Sequence, residues 1–328
     1  MDKRINLAKF RLRKTFRPRQ LPPSERETSK LFLPAMAPEG VLDRLNQHLN
    51  PTDYTMKFPK LILNCKVLLL VTLAAKAASF KVPGTSNPWL AGMPSGSTAG
   101  CSGIDAVPAE SPVPVTGVTV HAGWMLSFTA TGSVGYQGGV SDPADGDTNL
   151  FIWRHCGSEN GIANVFAPAD ALLGVFLDDT QPASSAAPSP FSASITNAIF
   201  TPDLKQPFFI GDGLTDTGSG SVQQFIVPAG ATRLFLGTMD GEGWYNNVGS
   251  FSVTVKAAPL LSIQPTGGRQ VQLTWPTNAV RYSLEYATDP ATSGWTTVTN
   301  NPEVMTGQFV LPIDISVSQR FFRLNIPQ

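Results

Sequence analysis

Charged residues are scarce in this sequence of 328 residues, at 15% of the chain, and neither sign is in excess. Lys+Arg and Asp+Glu number 24 each, but residues 1–55 carry 11 basic against 6 acidic side chains, so the remainder is mildly acidic. Because nucleic-acid binding needs a clustered basic surface, this distribution argues against a nucleic-acid partner. Low charge together with 29 Gly and 28 Pro favours an all-β secreted protein rich in turns.

Cysteine is also rare, with three residues and no Cys-x-x-Cys motif, which argues against a structural zinc site. Cys65 lies in an apolar segment that we interpret below as a signal peptide. Cys101 and Cys156 remain, and they are compatible either with one disulfide in an oxidising compartment or with two separate thiols.

The motifs of common enzyme classes are missing, including G-x-S-x-G, H-E-x-x-H and the Walker A sequence. His155 precedes Cys156, which suggests a Cys–His nucleophile, but neighbours on a strand point to opposite faces and disfavour that pairing. Paired carboxylates of the glycoside-hydrolase kind stay open, because such residues can be distant in sequence. We nevertheless expect a protein that is not an enzyme.

Residues 56–77 have the pattern of a signal peptide with its signal helix. A basic start is followed by an apolar run of nine residues from Val67 to Ala75, interrupted only by Thr72, and by the small-residue cleavage site Ala75-Lys76-Ala77. This apolar run is too short to span a bilayer. The pattern predicts a chain that starts at Met56 and is secreted or extracytoplasmic, with residues 1–55 as a disordered or mis-annotated upstream segment; the alternative is a real basic extension with an internal anchor.

Short alternating or apolar segments follow, separated by turn signals about every ten residues, as in an antiparallel β-sandwich. We place this sandwich at residues 86–257. Residues 81–114 are expected to run extended over the surface of the strands that follow them. The predicted strands are 118–120 and 126–130, joined as a hairpin at His121-Ala-Gly, and 171–177, 206–210, 225–227, 233–237 and 249–255.

A second alternating series begins after Ala257-Ala-Pro and predicts a smaller β-sandwich at residues 260–328. Its apolar positions are Val271/Leu273/Trp275, Tyr282/Leu284/Tyr286, Phe309/Leu311 and Phe322/Leu324/Ile326. The pattern weakly resembles the fibronectin-type-III-like modules that end many secreted bacterial proteins. That resemblance implies that Trp275 and Tyr286 are core aromatics.

Residues 235–255 hold the clearest chemical motif. A strand leads to Asp240, a glycine-rich loop and the adjacent amides Asn246 and Asn247 follow, and then a second alternating strand begins. One carboxylate and two amide oxygens at one edge of a β-structure are ligands that Ca²⁺ prefers. The motif alone also fits an ordinary hairpin turn.

The same stretch resembles the calcium-and-sugar loop of PA-IL-like galactophilic lectins, and the similarity extends over residues 115–257. It includes the opening strands at 118–134, Tyr136 in Gly-Ser-Val-Gly-Tyr, the strand from Ala171, and the run from Phe208 to Val255. The resemblance implies a bacterial, calcium-dependent, carbohydrate-binding protein that recognises galactose-type sugars or polysaccharides, and it leaves a homo-oligomer possible.

The resemblance also implies a ligand set. For Ca²⁺ these are the side chains of Asp240, Asn246 and Asn247 and the carbonyls of Tyr136 and Trp244. For the sugar they are Asp240, Trp244 and Asn247, with His155, Glu159 and Asn160 as the nearest counterparts of the family's hydroxyl-binding segment. The alternative is a structural or adhesive extracellular β-protein without a ligand site. A second acidic stretch, 142–149, resembles half of a calcium loop, and we interpret it as a solvated turn.

Overall fold

β-Strands make up almost all regular structure in the part of the chain that the structure describes. The computed structural model describes residues 76–101, 104–139, 141–291, 294–314 and 319–327. The predicted upstream segment 1–55 and all of the predicted signal peptide except Lys76 and Ala77 lie outside these residues. The described residues contain strands and 3₁₀ turns but no α-helix. The all-β prediction is therefore confirmed.

The strands are β1 (Lys76–Pro83), β2 (Thr98–Ala99), β3 (Asp105–Ala106), β4 (Val113–Pro114), β5 (Trp124–Gly135), β6 (Asp147–Trp153), β7 (Phe166–Ala169), β8 (Leu172–Leu177), β9 (Ile199–Phe200), β10 (Pro207–Phe209), β11 (Leu214–Asp216), β12 (Ser219–Val222), β13 (Gln224–Ile226), β14 (Arg233–Thr238), β15 (Val248–Pro259), β16 (Ser262–Gly267), β17 (Gln270–Pro276), β18 (Ser283–Ala287), β19 (Thr296–Thr297), β20 (Glu303–Met305), β21 (Gln308–Asp314) and β22 (Phe321–Asn325). The 3₁₀ turns are Pro88–Leu90, Tyr136–Gly138, Pro182–Ser184 and Trp244–Asn246.

Two sheets build the larger part of the molecule, in the orders β1-β15-β5-β13-β9 and β10-β8-β14-β4. β15 and β5 are antiparallel and pair continuously from Val248 opposite Gly135 to Pro259 opposite Trp124. Side chains alternate across a strand, and Phe251, Val253 and Val255 are accordingly buried on one face of β15. Every residue of β8 is buried, as expected for its continuous apolar sequence.

Both sheets contribute to one hydrophobic core. Leu126, Phe128 and Phe251 from the first sheet belong to the same buried cluster as Val175 and Leu234 from the second. Connected aromatic rings run through this core, with ring centroids 4.9–5.6 Å apart. Phe225 contacts Phe128, Phe200 and Phe208, and Phe208 also contacts Phe176.

The residues after β15 form two further sheets, β16-β17-β21-β20 and β19-β18-β22. They enclose a second core that contains Leu273, Trp275 and Phe322, and Tyr286 packs against it. Tyr282 packs against both cores. Trp124 at the start of β5 donates a hydrogen bond from Nε1 to Asn278 Oδ1, at 2.8 Å, so the two parts are joined by a polar contact as well as an apolar one.

Two local expectations differ from the structure. The hairpin at His121 does not form, because residues 115–123 contain no strand and β5 begins only at Trp124. β5 already has β15 on one side and β13 on the other, so no sheet edge is left for an arm at 118–120. The first sheet also starts earlier than residue 86, because β1 pairs with β15 along its whole length, from Lys76 to Pro83.

Cys101 and Cys156 form a disulfide, which selects the first of the two alternatives left open by the sequence. Disulfides persist in oxidising compartments outside the cytosol. Among the described residues, no helix has the length and apolar character needed to cross a membrane.

Candidate functional site

The loop between β14 and β15 carries the predicted motif. Asp240 comes two residues after the end of β14, and Glu242 N–H donates to its Oδ1 at 3.3 Å. Gly241 packs against His155, since a Cβ on Gly241 would lie 2.6 Å from His155 Cε1. Gly243 has a φ of 87°, a conformation that glycine adopts without steric cost. Both glycines are therefore needed where they stand.

Asp105 holds the loop in place through hydrogen bonds to its backbone. Its carboxylate is buried and accepts hydrogen bonds from the N–H groups of Trp244 (3.2 Å) and Tyr245 (3.1 Å) and from Asn87 Nδ2 (3.0 Å). Burial raises the pKa of Asp105, and these three donors oppose the shift. The Trp244 ring lies in the core, where its Nε1 donates to Thr238 O at 3.0 Å and the ring packs against Trp89.

An open cavity of about 390 Å³ lies over the loop. Its polar lining includes Tyr136, Gln137, His155, Asp240 and Asn246, and Tyr245 contributes an aromatic ring that is 52% exposed. Leu150 and Ile152 of β6 form an apolar wall. The 3₁₀ turns on either side are tied together because Gln137 N–H donates to Asn246 Oδ1 at 3.2 Å.

Two oxygens of the motif are buried without a hydrogen-bond partner among the described residues, Asp240 Oδ2 and Asn247 Oδ1. Asp240 is 8% exposed and Asn247 is 6% exposed. The Asn247 amide donates from Nδ2 to Gly84 O at 3.3 Å. Burial raises the pKa of Asp240, while the Asn247 amide and the N–H groups of Glu242 and Gly241 lower it. Buried polar atoms normally have a hydrogen-bond partner, so two buried oxygens without one in the same loop require an explanation.

A third acidic residue lies at the same end of the sheets. Asp170 occupies the corner between β7 and β8 with a φ of 64°, and its N–H donates to Met239 O at 2.8 Å, directly before Asp240. Its side chain is fully buried, and neither carboxylate oxygen accepts a hydrogen bond of normal geometry within the described chain, although the Tyr136 N–H and the Asp142 carboxyl are close to it. Burial and then the neighbouring Asp142 carboxyl raise the pKa of Asp170 to about 7, against the lowering effect of the Tyr136 N–H.

The structure brings Tyr136, His155, Asp240 and Asn246 together around the cavity and places the Asn247 amide beside Asp240. Trp244 is the main correction: its ring is 0% exposed, so it offers no face to a sugar, because the loop turns it into the core against Trp89. Its carbonyl accepts the Asn247 N–H at 3.1 Å.

Glu159 and Asn160 also lie outside the cavity lining. Glu159 forms an ion pair with buried Arg154 and accepts the Gly100 N–H at 2.9 Å. Asn160 donates from Nδ2 to the carbonyls of Trp89 (3.0 Å) and Thr98 (3.1 Å). Both side chains therefore hold the disulfide-bearing loops together, and of the three predicted hydroxyl-binding residues only His155 faces the cavity.

Sequence reasoning missed Asp170 and treated Asp142 as part of a solvated turn. The available signal was a lone acid between Ala169 and Ala171 that immediately precedes an apolar strand. Such a residue must be paired, neutral or bound to a cation when it is buried, but the sequence does not show which partner it meets.

The Cys–His nucleophile is also ruled out at this position, because Cys156 is in the disulfide with Cys101. The carboxylate of Glu242 comes close to both sulfur atoms. That group is no metal centre, because metal binding by cysteine needs the thiolate. What the cavity offers chemically is a set of hard oxygen ligands beside an exposed aromatic ring.

Comparison of the chain with protein-family models, with curated proteins and with solved structures finds no match.

Proposed function

We propose that this chain is a secreted, calcium-dependent, carbohydrate-binding protein in which a lectin-like β-sandwich is followed by a smaller fibronectin-like one. The observation that carries the proposal is a pair of buried, unpartnered oxygens, one on Asp240, which lines the open cavity, and one on the neighbouring side chain of Asn247. Leaving such atoms unpaired costs about 1–3 kcal/mol each. A bound Ca²⁺, which takes oxygen ligands, removes that cost.

The ligand set of this proposal is Asp240, Asn246 and Asn247 with the backbone carbonyls of Tyr136 and Trp244. Each carbonyl already accepts one backbone N–H, from Gly139 and Asn247 respectively, and would bind the ion through its second lone pair. These groups supply fewer than the 6–8 oxygens that Ca²⁺ takes, so positions remain for two neighbouring sugar hydroxyls. An exposed aromatic ring stacks on the apolar face of a sugar, and Tyr245 takes the stacking role in place of Trp244.

A galactose-type monosaccharide or the end of a polysaccharide fits this arrangement, because the site needs only one pair of vicinal hydroxyls and one apolar ring face. Weak single sites gain avidity when several are linked, so a homo-oligomer would strengthen binding to a repetitive surface. The alternative is an adhesive extracellular protein in which the loop binds nothing.

Calorimetric titration of CaCl₂ into the chelator-treated chain, with and without galactose, tests the proposal. We expect saturable calcium uptake that galactose tightens. The double variant Asp240→Ala/Asn246→Ala should lose this sugar-linked uptake, whereas Asp203→Asn, which alters an exposed carboxylate outside the cavity lining, should retain it. The absence of calcium uptake at millimolar concentration would favour the adhesive alternative.

Two aromatic variants separate calcium binding from sugar binding. Tyr245→Ala should weaken galactose binding about tenfold and leave calcium affinity in the absence of sugar unchanged, because stacking on the ring is lost but no oxygen ligand is. The matched control is Trp153→Ala: Trp153 is 48% exposed and lies outside the cavity lining. Equal effects of both variants would contradict the assignment of Tyr245. A glycan panel read with and without chelator identifies the sugar.

A further inference from the structure

We infer that the chain has a second divalent-cation site, formed by Asp142 and Asp170 next to the Tyr136–Gly138 turn. It is carried by the fully buried carboxylate of Asp170, whose oxygens accept no hydrogen bond of normal geometry within the described chain and whose polar neighbours include the Asp142 carboxyl and the Tyr136 N–H. Cation binding at this site requires no sugar, so it can be tested independently of the proposed function.

The backbone holds Asp170 rigidly in place. Its own N–H bonds to Met239 O, and Met239 N–H bonds to the carbonyl of Ala171, both at 2.8 Å. These bonds join the corner between β7 and β8 to the end of β14. The left-handed φ of 64° is tolerated by aspartate better than by most residues. A side chain at this corner is therefore confined to the interior.

The loop that carries Asp142 packs closely against the corner between β7 and β8. Leu172 N–H donates to Ala144 O at 2.8 Å. Gly146 is so close that a Cβ would lie 2.2 Å from Ala169 O and 2.7 Å from Ala171 N. Asp142 is itself fixed to β5 by two backbone hydrogen bonds with Val134. Both carboxylates are consequently held by close backbone contacts, and they interact directly with each other.

An open cavity of about 460 Å³ adjoins Asp142, the outer member of this pair, and is lined by Tyr136, Gln137, Gly139, Asp142 and Asp147. None of these described lining residues is basic, so the negative charges of Asp142 and Asp147 are not balanced there. Two carboxylates in contact cannot both ionise without a cation or a proton between them.

Calcium is the cation that we expect, because every side-chain ligand offered is a carboxylate oxygen and the cavity is open to water molecules that complete the coordination shell. Asp142 and Asp170 supply the principal ligands. Asp147, whose Oδ1 accepts the Asn149 N–H at 2.9 Å, lines the entrance and adds negative charge.

The test is a count of calcium ions per purified chain, by calorimetry with CaCl₂ alone and by metal analysis after dialysis. The wild type should bind two ions. Asp170→Asn and Asp142→Asn should each lose one of them or weaken it at least tenfold, while Asp240→Ala/Asn246→Ala loses the other. Asp203→Asn is the matched carboxylate control and should keep both.

Every other outcome decides between the two sites. One ion that survives in Asp170→Asn and disappears in Asp240→Ala/Asn246→Ala overturns this inference and leaves the proposed function intact. One ion with the opposite behaviour supports the inference and contradicts the proposed function. One ion lost in both sets of variants shows a single shared site and overturns the inference, and no ion in the wild type overturns both.

Folding of the key variant is checked separately. Asparagine has nearly the same shape as aspartate and no charge, so Asp170→Asn should raise the Tm of the calcium-free protein. The same variant should reduce the further rise in Tm that calcium causes. An unchanged calcium-dependent rise in Tm would contradict the site even if the ion count were ambiguous.

Discussion

At the residue scale, Asp170 makes a prediction about pH in the absence of calcium. Its pKa is raised to about 7 in the folded chain, against about 4 for an unfolded aspartate. The folded state therefore holds a proton that the unfolded state has released, and the free energy of unfolding falls as the pH rises from about 4 to about 7. Above that range the loss is complete.

Urea unfolding in the presence of chelator, repeated at several pH values, measures this effect. Asp105, Asp145 and Asp240 also have raised pKa values caused by burial and contribute with the same sign, so the informative quantity is the difference between variants. Asp170→Asn should flatten the slope by up to about 1.4 kcal/mol per pH unit, and Asp203→Asn should not. Equal slopes in wild type and Asp170→Asn would show that Asp170 does not hold the proton.

The same residue marks the limit of what the sequence could predict about the site. Asp240, Asn246 and Tyr136 belong to a local motif and a family resemblance, and the structure brings them to one cavity. Asp170 and Asp142 are 28 positions apart and meet only because β8 is paired with β14 beside the Asp142 loop. The sugar contact expected of the Trp244 side chain is wrong, because that ring is buried and a sequence does not show to which side a tight loop turns a ring.

At the element scale, the disulfide is expected to stabilise both the fold and the site. It joins residues separated by 55 positions, and restricting an unfolded loop of that length is worth about 4 kcal/mol in the chain-entropy treatment. We expect Cys101→Ser/Cys156→Ser to lower the free energy of unfolding in urea by up to about 4 kcal/mol. A value unchanged from wild type would mean that the surrounding contacts, such as Arg154 with Glu159, already suffice.

The disulfide also borders the loop that holds the candidate site. Cys101 lies four residues before Asp105, which anchors the N–H groups of Trp244 and Tyr245. Cys156 follows His155, whose ring contacts Gly241 and whose N–H bonds to Gly241 O. The double serine variant should therefore bind calcium more weakly at the Asp240 site even at temperatures where it is fully folded.

Strands were more predictable than their connections. The apolar and alternating segments at 171–177, 233–237 and 249–255 contain all of β8, all of β14 except Thr238 and seven of the twelve residues of β15, because burial on one or both faces leaves a periodic signal. The expected hairpin at His121 has the same alternation but no free sheet edge to pair with. Pairing depends on which edges remain open, and that is a property of the whole sheet.

At the scale of the whole molecule, the described residues belong to one compact unit although they contain two hydrophobic cores. β15 leads to β16 through only Leu260 and Leu261. Gly123 packs against Pro276, and the Trp124 and Tyr282 rings meet edge to face at 5.9 Å. A short connection and a packed contact favour cooperative behaviour, so we expect one calorimetric unfolding transition for both parts.

Asn278→Ala tests this coupling, because it removes the acceptor of Nε1 on the buried Trp124 ring and leaves that donor unpaired, at a cost of about 1–3 kcal/mol. Scanning calorimetry of this variant should show a lower Tm for the part that contains β16–β22 or a separation into two peaks. Asn301→Ala removes an exposed amide from the same part and should leave the single peak unchanged. If both variants match the wild type, the two cores are coupled by the apolar contact through Tyr282 alone, and Tyr282→Ala should then split the transition.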